Sequence, residues 1–220
     1  MKKVLIAFLA VFLIVSFVSC DQKALEEAEK REQATIDFFE THNTVVYKYS
    51  PLSNQSNIGE YDLAKYNSEE SADADAKTAA NKMIQKLLWA NNIDYSSTDF
   101  KVTSAKGTVK ITESTTADST VLSWVAKEVE MAYQYKDDDS KDVTGKISLS
   151  GDGYQKRTED RITGILTIEL VVKSFMSNGK IYRPIELTLE RVSSDYEIKK
   201  AICDGIELNK KMVKAALLTE

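Results

Sequence analysis

The chain has 220 residues, of which 43% are hydrophobic and 29% charged, and its formal net charge is -5 at pH 7. This length and apolar content are enough for one globular domain or two small ones. An acidic chain without a basic cluster argues against electrostatic binding of nucleic acid or of anionic lipid headgroups.

The composition also limits catalytic chemistry. A single histidine excludes a metal site with two histidine ligands, and the chain contains no HExxH, CxxC, GxGxxG or Walker-type GxxxxGK motif. We therefore expect no metal, no cofactor and no enzymatic activity.

Residues 1–21 have the layout of an export signal. Lys2 and Lys3 precede an apolar run over residues 4–18. This run is shorter than the about 20 apolar residues that a membrane-spanning helix needs. We therefore predict a signal peptide over residues 1–19 that is removed from the mature chain.

The end of this segment, Phe17-Val18-Ser19-Cys20, resembles the lipobox of bacterial prolipoproteins. The resemblance implies that the Cys20 thiol is joined to diacylglycerol, that a dedicated peptidase cuts before Cys20, and that palmitate or a similar acyl chain anchors the mature protein. Each buried methylene contributes ~0.8 kcal/mol, so two or more chains together hold a protein firmly to a bilayer. The resemblance covers residues 1–21 only.

Two further expectations depend on this lipobox. We expect an envelope protein of the outer membrane. The inner membrane is the alternative, because Asp21 resembles the inner-membrane retention signal of enteric bacteria. With lipid on Cys20, Cys203 has no disulfide partner and is expected to be a small buried thiol. A disulfide between Cys20 and Cys203 is the alternative if Cys20 carries no lipid.

The chain after the signal is expected to divide at residue 40. Residues 20–40 would form the lipidated cysteine and a helical tether, and residues 41–220 a single domain. The tether carries a thin apolar stripe, which suits either a spacer or a helix that docks by its C-terminal half. Residues 44–49 predict a short strand.

A clearer helix is predicted from Ala72 to Ala90, where apolar residues follow the three-then-four spacing of one helix face. Ser71 is the expected N-cap, and Asn91 and Asn92 are expected to end the helix. We expect this helix to bury its apolar face against a sheet, with Trp89 extending that face.

Beyond residue 98 the apolar pattern changes to period two, which predicts strands. One long strand is expected to carry five apolar residues on a single face: Val121, Val125, Val129, Met131 and Tyr133. Further strands are predicted at 99–112, 143–150, 154–175, 180–193 and 196–203, with turns at 137–140, 151–153, 178–179 and 194–195.

The Asn178-Gly179 turn predicts a register. A two-residue hairpin loop at this position sets the pairing of both flanking strands, and a slip of one residue would turn every apolar side chain to the wrong face. The predicted pairs are Ser177 with Lys180, Val172 with Ile185, Leu170 with Leu187, and Ile168 with Leu189.

The following turn predicts a second register. It is expected to pair Leu187 with Ile202 and Glu190 with Lys199. Pro184 lacks a backbone donor, so its strand is expected to be irregular near its start.

The last segment, residues 206–218, has enough apolar positions for a short packed helix. The predicted fold is therefore α+β, with amphipathic helices packed on a curved antiparallel meander of five to six strands. A partly closed β-barrel is the alternative.

A few residues are candidates for chemistry. His42 is expected at a helix end, in an exposed or capping position. The acidic cluster Asp137–Asp142 is expected to be a solvated hairpin turn, because it lacks the internal glycine and distal glutamate of a calcium loop; weak calcium binding is the alternative. Glu128 and Glu130, two apart on the polar face of a strand, are expected to be solvated; a carboxylate pair serving a glycosidase is the alternative.

The expected function is that of a lipid-anchored cell-envelope protein with a non-catalytic binding role. Its partner would be another protein or a small apolar ligand held between helix and sheet, besides the membrane that receives the lipid on Cys20. The alternatives are an envelope hydrolase using carboxylates and a purely structural or assembly lipoprotein.

Overall fold

The computed structural model describes residues 22–52, 54–69, 71–137 and 139–217, so the predicted signal peptide and Cys20 lie outside the described residues. Its helices are α1 (Gln22–His42), α2 (Ala74–Ala90) and α3 (Lys210–Leu217), and a π-helical segment (Asn43–Tyr49) continues α1. Its strands are β1 (Gly59–Asp62), β2 (Lys101–Thr115), β3 (Ser119–Lys136), β4 (Asp142–Glu159), β5 (Leu166–Ser177), β6 (Lys180–Tyr182), β7 (Ile185–Val192), β8 (Asp195–Cys203) and β9 (Ile206–Glu207).

The strands form one open antiparallel sheet of nine strands, in the order β1-β2-β3-β4-β5-β7-β8-β9, with β6 paired to β5. The α+β prediction is confirmed, but the expected five to six strands are too few. The strands that the sequence did not reveal as separate elements are short: β1 has four residues, β6 three and β9 two. Such segments are too short to show a period of two.

The register predicted from the Asn178-Gly179 turn is confirmed. The structure pairs Ser177 with Lys180, and the next pairs fall where the count placed them: Val172–Ile185, Leu170–Leu187 and Ile168–Leu189. The irregularity expected at Pro184 is also confirmed, because the predicted strand 180–193 is divided there into β6 and β7.

The second predicted register is wrong. The β7–β8 turn consists of Ser193 and Ser194, because Val192 already pairs with Asp195. A bulge between Thr188 and Leu189 then shifts the strands again. The resulting pairs are Leu187 with Ala201, where Ile202 was expected, and Glu190 with Glu197, where Lys199 was expected.

The expected single face of the long strand β3 is also wrong. The pairing of β3 with β4 shifts between Ala126 and Val129, and Glu128 adopts a left-handed backbone with φ 47°. One extra residue at this bulge moves every later side chain to the opposite face. Val129 therefore lies on the helix-covered face, which we call the concave face, whereas Val121 and Val125 lie on the opposite, convex face.

The predicted turn at residues 151–153 is wrong for a different reason. Gly151 and Gly153 lie inside β4, which runs without a turn to Glu159. A Cβ on Gly153 would lie 2.5 Å from the Val171 carbonyl oxygen and 2.9 Å from the Trp124 ring. This glycine therefore permits a close approach of neighbouring groups, and the chain reverses only after Glu159, in the loop before β5.

Two helical segments form a layer on the concave face. Helix α1 buries Ala34 and Phe38, and the π-helical segment after it buries Val45 and Tyr49. The strand predicted for residues 44–49 is therefore wrong. The local preference of β-branched residues for strands is overridden here by packing, since Val45 is almost completely buried in the core.

Helix α2 supplies the other half of the layer. Its face of Met83, Ile84, Leu87 and Leu88 is buried, as predicted. Its end at Asn91 is confirmed, where the side-chain amide donates to the Leu87 carbonyl at 2.8 Å. Three details of the helix prediction are wrong. The helix begins at Ala74 and not at Ala72, and its N-cap is Asp73 and not Ser71. Trp89, which was expected to extend the buried face, is 58% exposed.

The C-terminal helix is shorter than predicted, because Ile206 belongs to β9 and α3 covers only Lys210–Leu217. Asn209 begins α3 by accepting the backbone N–H of Lys211 at 3.0 Å, and Val213 is fully buried. Among the described residues, no helix has the length and hydropathy required to cross a membrane.

The bulge between β2 and β3 leads to a stability prediction. Gly107 has φ +91°, and a Cβ there would lie 2.4 Å from the Glu128 carbonyl oxygen. We expect Gly107→Ala to lower the free energy of unfolding by about 3 kcal/mol, because it adds a backbone clash to a strained φ. Urea unfolding of residues 21–220 measures this.

Gly179→Ala is the matched control for that prediction. Gly179 also has a positive φ, +79°, but nothing lies within 4 Å of its added Cβ. It should therefore show only the conformational cost of about 1–2 kcal/mol. Equal losses in the two variants would contradict the proposed contact at the bulge.

Candidate functional site

The structure places His42 in the interior, so the expected exposed or capping position is wrong. Its side chain is 5% exposed, and its ring stacks 6.0 Å from Phe38 and lies 5.3 Å from Tyr47, centroid to centroid. Nδ1 has no hydrogen-bond partner among the described residues. Burial lowers the pKa of His42, and the Asn43 side chain opposes that shift.

Cys203 is a buried free thiol, as predicted. Burial, and secondarily the Asp37 and Asp204 carboxylates, raise the pKa of Cys203 to about 11. The thiol is therefore protonated near neutral pH, whereas nucleophilic cysteines react as thiolates.

The acidic cluster forms the predicted hairpin turn between β3 and β4. Asp137 accepts the backbone N–H groups of Asp139 and Lys141 at 3.0 and 2.8 Å, and Lys141 also forms an ion pair with Asp139. Asp138 lies outside the described residues. Within the described part of the chain, no group of three or more His, Cys, Asp or Glu side chains is arranged to hold a metal ion.

The carboxylate pair Glu128 and Glu130 does not form a site. Glu128 occupies the bulge of β3, where its backbone N–H donates to the Ser150 hydroxyl at 3.2 Å. Glu130 lies on the convex face and forms an exposed ion pair with Lys106 at 3.0 Å. Both carboxylates face solvent outside any cleft that the structure shows.

A small cavity lies between the π-helical segment and the sheet. Its volume is about 10 Å³, which is close to the minimum for one water molecule. This cavity has no room for an apolar ligand. Its lining is mainly apolar: Val45, Ser50, Leu122, Trp124, Tyr154, Gln155, Leu170, Val171 and Val172.

A larger, polar cleft lies at one end of the sheet, between the β2–β3 turn and the start of the β4–β5 loop. Its volume is about 260 Å³. We call it the hairpin-end cleft, and it is lined by Thr115, Thr116, Ala117, Asp118, Ser119, Thr120, Arg157, Glu159 and Arg161.

The two walls of the hairpin-end cleft are tied to each other. The Arg161 guanidinium donates to the Ala117 carbonyl at 2.5 Å and lies 3.6 Å from the Asp118 carboxylate. The Glu159 backbone N–H also donates to the Asp118 carbonyl at 3.1 Å. These bonds hold the cleft in shape without a ligand.

The strand pairing brings together the side chains that form the floor of the cleft. Thr115 pairs with Thr120, and Thr120 with Arg157, so these side chains lie in one row on the concave face. Among the described residues, Arg157 forms no ion pair, and Glu159 has no side-chain partner, although its neighbour Arg161 is paired with Asp118. The cleft therefore presents one unpaired cation and one unpaired anion, and its formal charge is balanced.

The loop beside the cleft is closed by hydrogen bonds to Asp160. Asp160 accepts the backbone N–H groups of Thr163 and Ile162, and these bonds lower the pKa of Asp160. The Gly164 N–H donates to the Asp160 carbonyl at 2.7 Å. The loop therefore holds Ile162, which is 96% exposed, directly after the cleft residue Arg161.

Sequence reasoning missed this cleft, since its residues come from segments about 40 positions apart and match no motif. The run of hydroxyl residues at 114–120 was the available signal, and only the register with β4 connects it to Arg157. Comparisons of the chain with protein-family models, with curated proteins and with solved structures gave no match. The assignment of the cleft therefore depends on its own geometry.

The buried His42 leads to a prediction about pH. Its folded-state pKa is lowered from the ordinary 6.5, so the unfolded chain binds this proton more readily than the folded chain does. The free energy of unfolding should be independent of His42 above about pH 7 and should fall as the pH drops below 6.5 toward the lowered pKa.

His42→Phe isolates this contribution, because phenylalanine fills similar space without titrating. Urea unfolding of both proteins from about pH 8 to about pH 5 should show the wild type losing stability relative to the variant only in the acidic half. Parallel curves over the whole range would show that His42 does not titrate on unfolding.

Proposed function

We propose that the mature protein is held in the cell envelope by lipid on Cys20 and acts there as a non-catalytic binding module, with the hairpin-end cleft as its binding surface. The observation that carries this proposal is the bonding of Arg161 to Ala117 and Asp118, which joins the two walls of the cleft. A preformed site loses less free energy to ordering on binding than a mobile one does.

The geometry of α1 supports the anchor. The helix begins at Gln22, two residues after Cys20 in the sequence, and its side chains at 24–31 are exposed. Burial starts at Ala34. At 1.5 Å per residue, the exposed part would separate the lipid from the sheet by about 15 Å.

The anchor helix and the cleft also lie at opposite ends of β5. The docked half of α1 forms ion pairs from Asp37 to Arg183, at 3.8 Å, and from Glu40 to Lys180, close to the end of β5 at Ser177. The cleft lies beyond its other end, at Leu166. Twelve residues of strand span about 40 Å, so the anchor would not obstruct the cleft.

The state of the only thiol and imidazole among the described residues supports a non-catalytic role. Cys203 is buried with a raised pKa, and His42 is buried between aromatic rings with a lowered pKa. A nucleophile and its base need mutual hydrogen bonding and access to substrate, and neither side chain reaches the hairpin-end cleft.

A hydrolase is the second candidate, because Asp118 and Glu159 are two carboxylates in one cleft. Glycoside hydrolysis uses such a pair as acid and as base or nucleophile. Asp118 is already paired with Arg161, so in this cleft only the Glu159 carboxylate has no side-chain partner among the described residues. Release of products from a bound saccharide, abolished by Glu159→Gln, would establish the hydrolase and reject the binding module.

The lipid anchor gives a direct prediction. When the full chain is expressed in a bacterium with a lipoprotein pathway and labelled with palmitate, the label should enter the wild type and Cys203→Ser equally. Cys20→Ser should remain unlabelled, because its hydroxyl does not replace the thiol that receives diacylglycerol.

Cys203→Ser is the matched control, since it removes the only other thiol. Label retained in Cys20→Ser, or absent from the wild type, would contradict the anchor. Fractionation of the same cells should place the wild type and Cys203→Ser with the membranes.

A further inference from the structure

We propose that the hairpin-end cleft binds a neutral saccharide through adjacent hydroxyl groups. This inference depends on the cleft being the binding surface of the proposed function, and it adds the chemical class of the ligand. It comes from the balance of hydrogen-bond donors and acceptors in the cleft, from the spacing of Arg157 and Glu159, and from the exposed apolar side chain of Ile162, which follows Arg161 in the sequence.

The charges of the cleft favour a neutral ligand. Its four ionised side chains are two arginines and two carboxylates, which sum to zero: Arg157, Arg161, Asp118 and Glu159. An anion would meet both carboxylates, and a cation both arginines. A neutral ligand avoids both repulsions and still needs strong donors and acceptors to replace the water that it displaces.

Hydroxyl groups match the two unpaired side chains. A hydroxyl both donates and accepts, so one hydroxyl can accept from the Arg157 guanidinium while a neighbouring one donates to the Glu159 carboxylate. Residues two apart on a strand lie on one face, about 7 Å apart. Two long side chains at that spacing can converge on adjacent hydroxyls of a sugar ring.

Three of the four hydroxyl side chains of the cleft already form hydrogen bonds within the protein. The Thr116 and Ser119 hydroxyls bond to each other at 2.9 Å, and the Thr115 hydroxyl donates to Glu113 at 3.2 Å. Thr120, opposite Arg157 in the sheet, is therefore the hydroxyl best placed to contact a ligand over the arginine.

An exposed apolar side chain, Ile162, follows the cleft residue Arg161 in the sequence. Sugar rings have C–H faces as well as hydroxyl edges, and binding sites combine a few polar groups with apolar surface. Ile162 is almost fully exposed and held by a hydrogen-bonded loop directly after Arg161. The volume of about 260 Å³ lies just below the 300–1,000 Å³ of typical small-molecule sites, which suits a short saccharide.

The test uses residues 21–220 and N,N′-diacetylchitobiose, a neutral disaccharide, as the probe. Nuclear magnetic resonance should show amide shifts confined to the two walls, residues 115–120 and 157–162. Titration calorimetry should show binding that is weakened at least about tenfold by Arg157→Ala, which removes a charged donor, and by Glu159→Gln, which replaces a charged acceptor with a neutral amide.

Arg31→Ala and Glu26→Gln are matched controls, because both residues are exposed on α1, far from the cleft, and should bind the probe as the wild type does. Glucuronate and glucosamine, an anionic and a cationic sugar, should bind more weakly than the neutral probe. Stronger binding of either charged sugar would overturn the neutral class, and unchanged binding by Arg157→Ala would overturn the placement in the cleft.

A second measurement separates this inference from the proposed function. Native mass spectrometry of the chain purified gently from the producing cells detects any ligand already bound. If chitobiose does not bind at millimolar concentration but a discrete extra mass is lost in Arg157→Ala, the binding function stands and the saccharide class is overturned. If the chain also carries no extra mass and no probe shifts the cleft residues, both are overturned.

Discussion

A one-residue irregularity in β3 decides which side chains face the helices. Before the bulge at Glu128, alternate residues place Thr120, Leu122 and Trp124 on the concave face; after it, Val129 and Met131 take that face. Without the extra residue, one half of the strand would turn its apolar side chains to solvent. The same register places Thr120 opposite Arg157, so the core and the hairpin-end cleft depend on a single backbone feature.

One buried hydroxyl connects three parts of the helical layer and the sheet. The Tyr49 Oη lies 3.0 Å from the Ser177 Oγ and donates to the Asn91 side-chain oxygen at 3.2 Å. It thereby joins the π-helical segment, the end of β5 and the end of α2, while its ring packs 5.4 Å from Phe175. Burial raises the pKa of Tyr49, so the hydroxyl stays protonated. Most buried polar groups in folded proteins have hydrogen-bond partners of this kind.

The parts of the fold that the sequence predicted are those with strong local signals. The Asn178-Gly179 loop determined a register over the whole β5–β7 ladder, and the apolar spacing of α2 predicted its buried face. Errors arose where tertiary contacts override local preference. Val45 lies in a helical segment and not in a strand, because it packs into the core. Gly153 lies within a strand and not in a turn, at a position where Val171 and Trp124 leave no room for a side chain. Local sequence patterns do not reveal such tertiary contacts. The cleft was not predicted because its two segments are brought together only by the pairing of β3 with β4.

The charged side chains of the sheet differ in whether they already have an ion-pair partner, and those without one remain available to a ligand. Most charged side chains on the sheet are already paired across strands, as Lys156 is with Glu169 and Lys200 with Glu186; exposed pairs of this kind contribute little stability but keep the convex face solvated. At the cleft, Arg161 joins the two walls, while Arg157 projects from β4 with no ion-pair partner among the described residues. An unpaired guanidinium in a cleft is the group most available to a ligand.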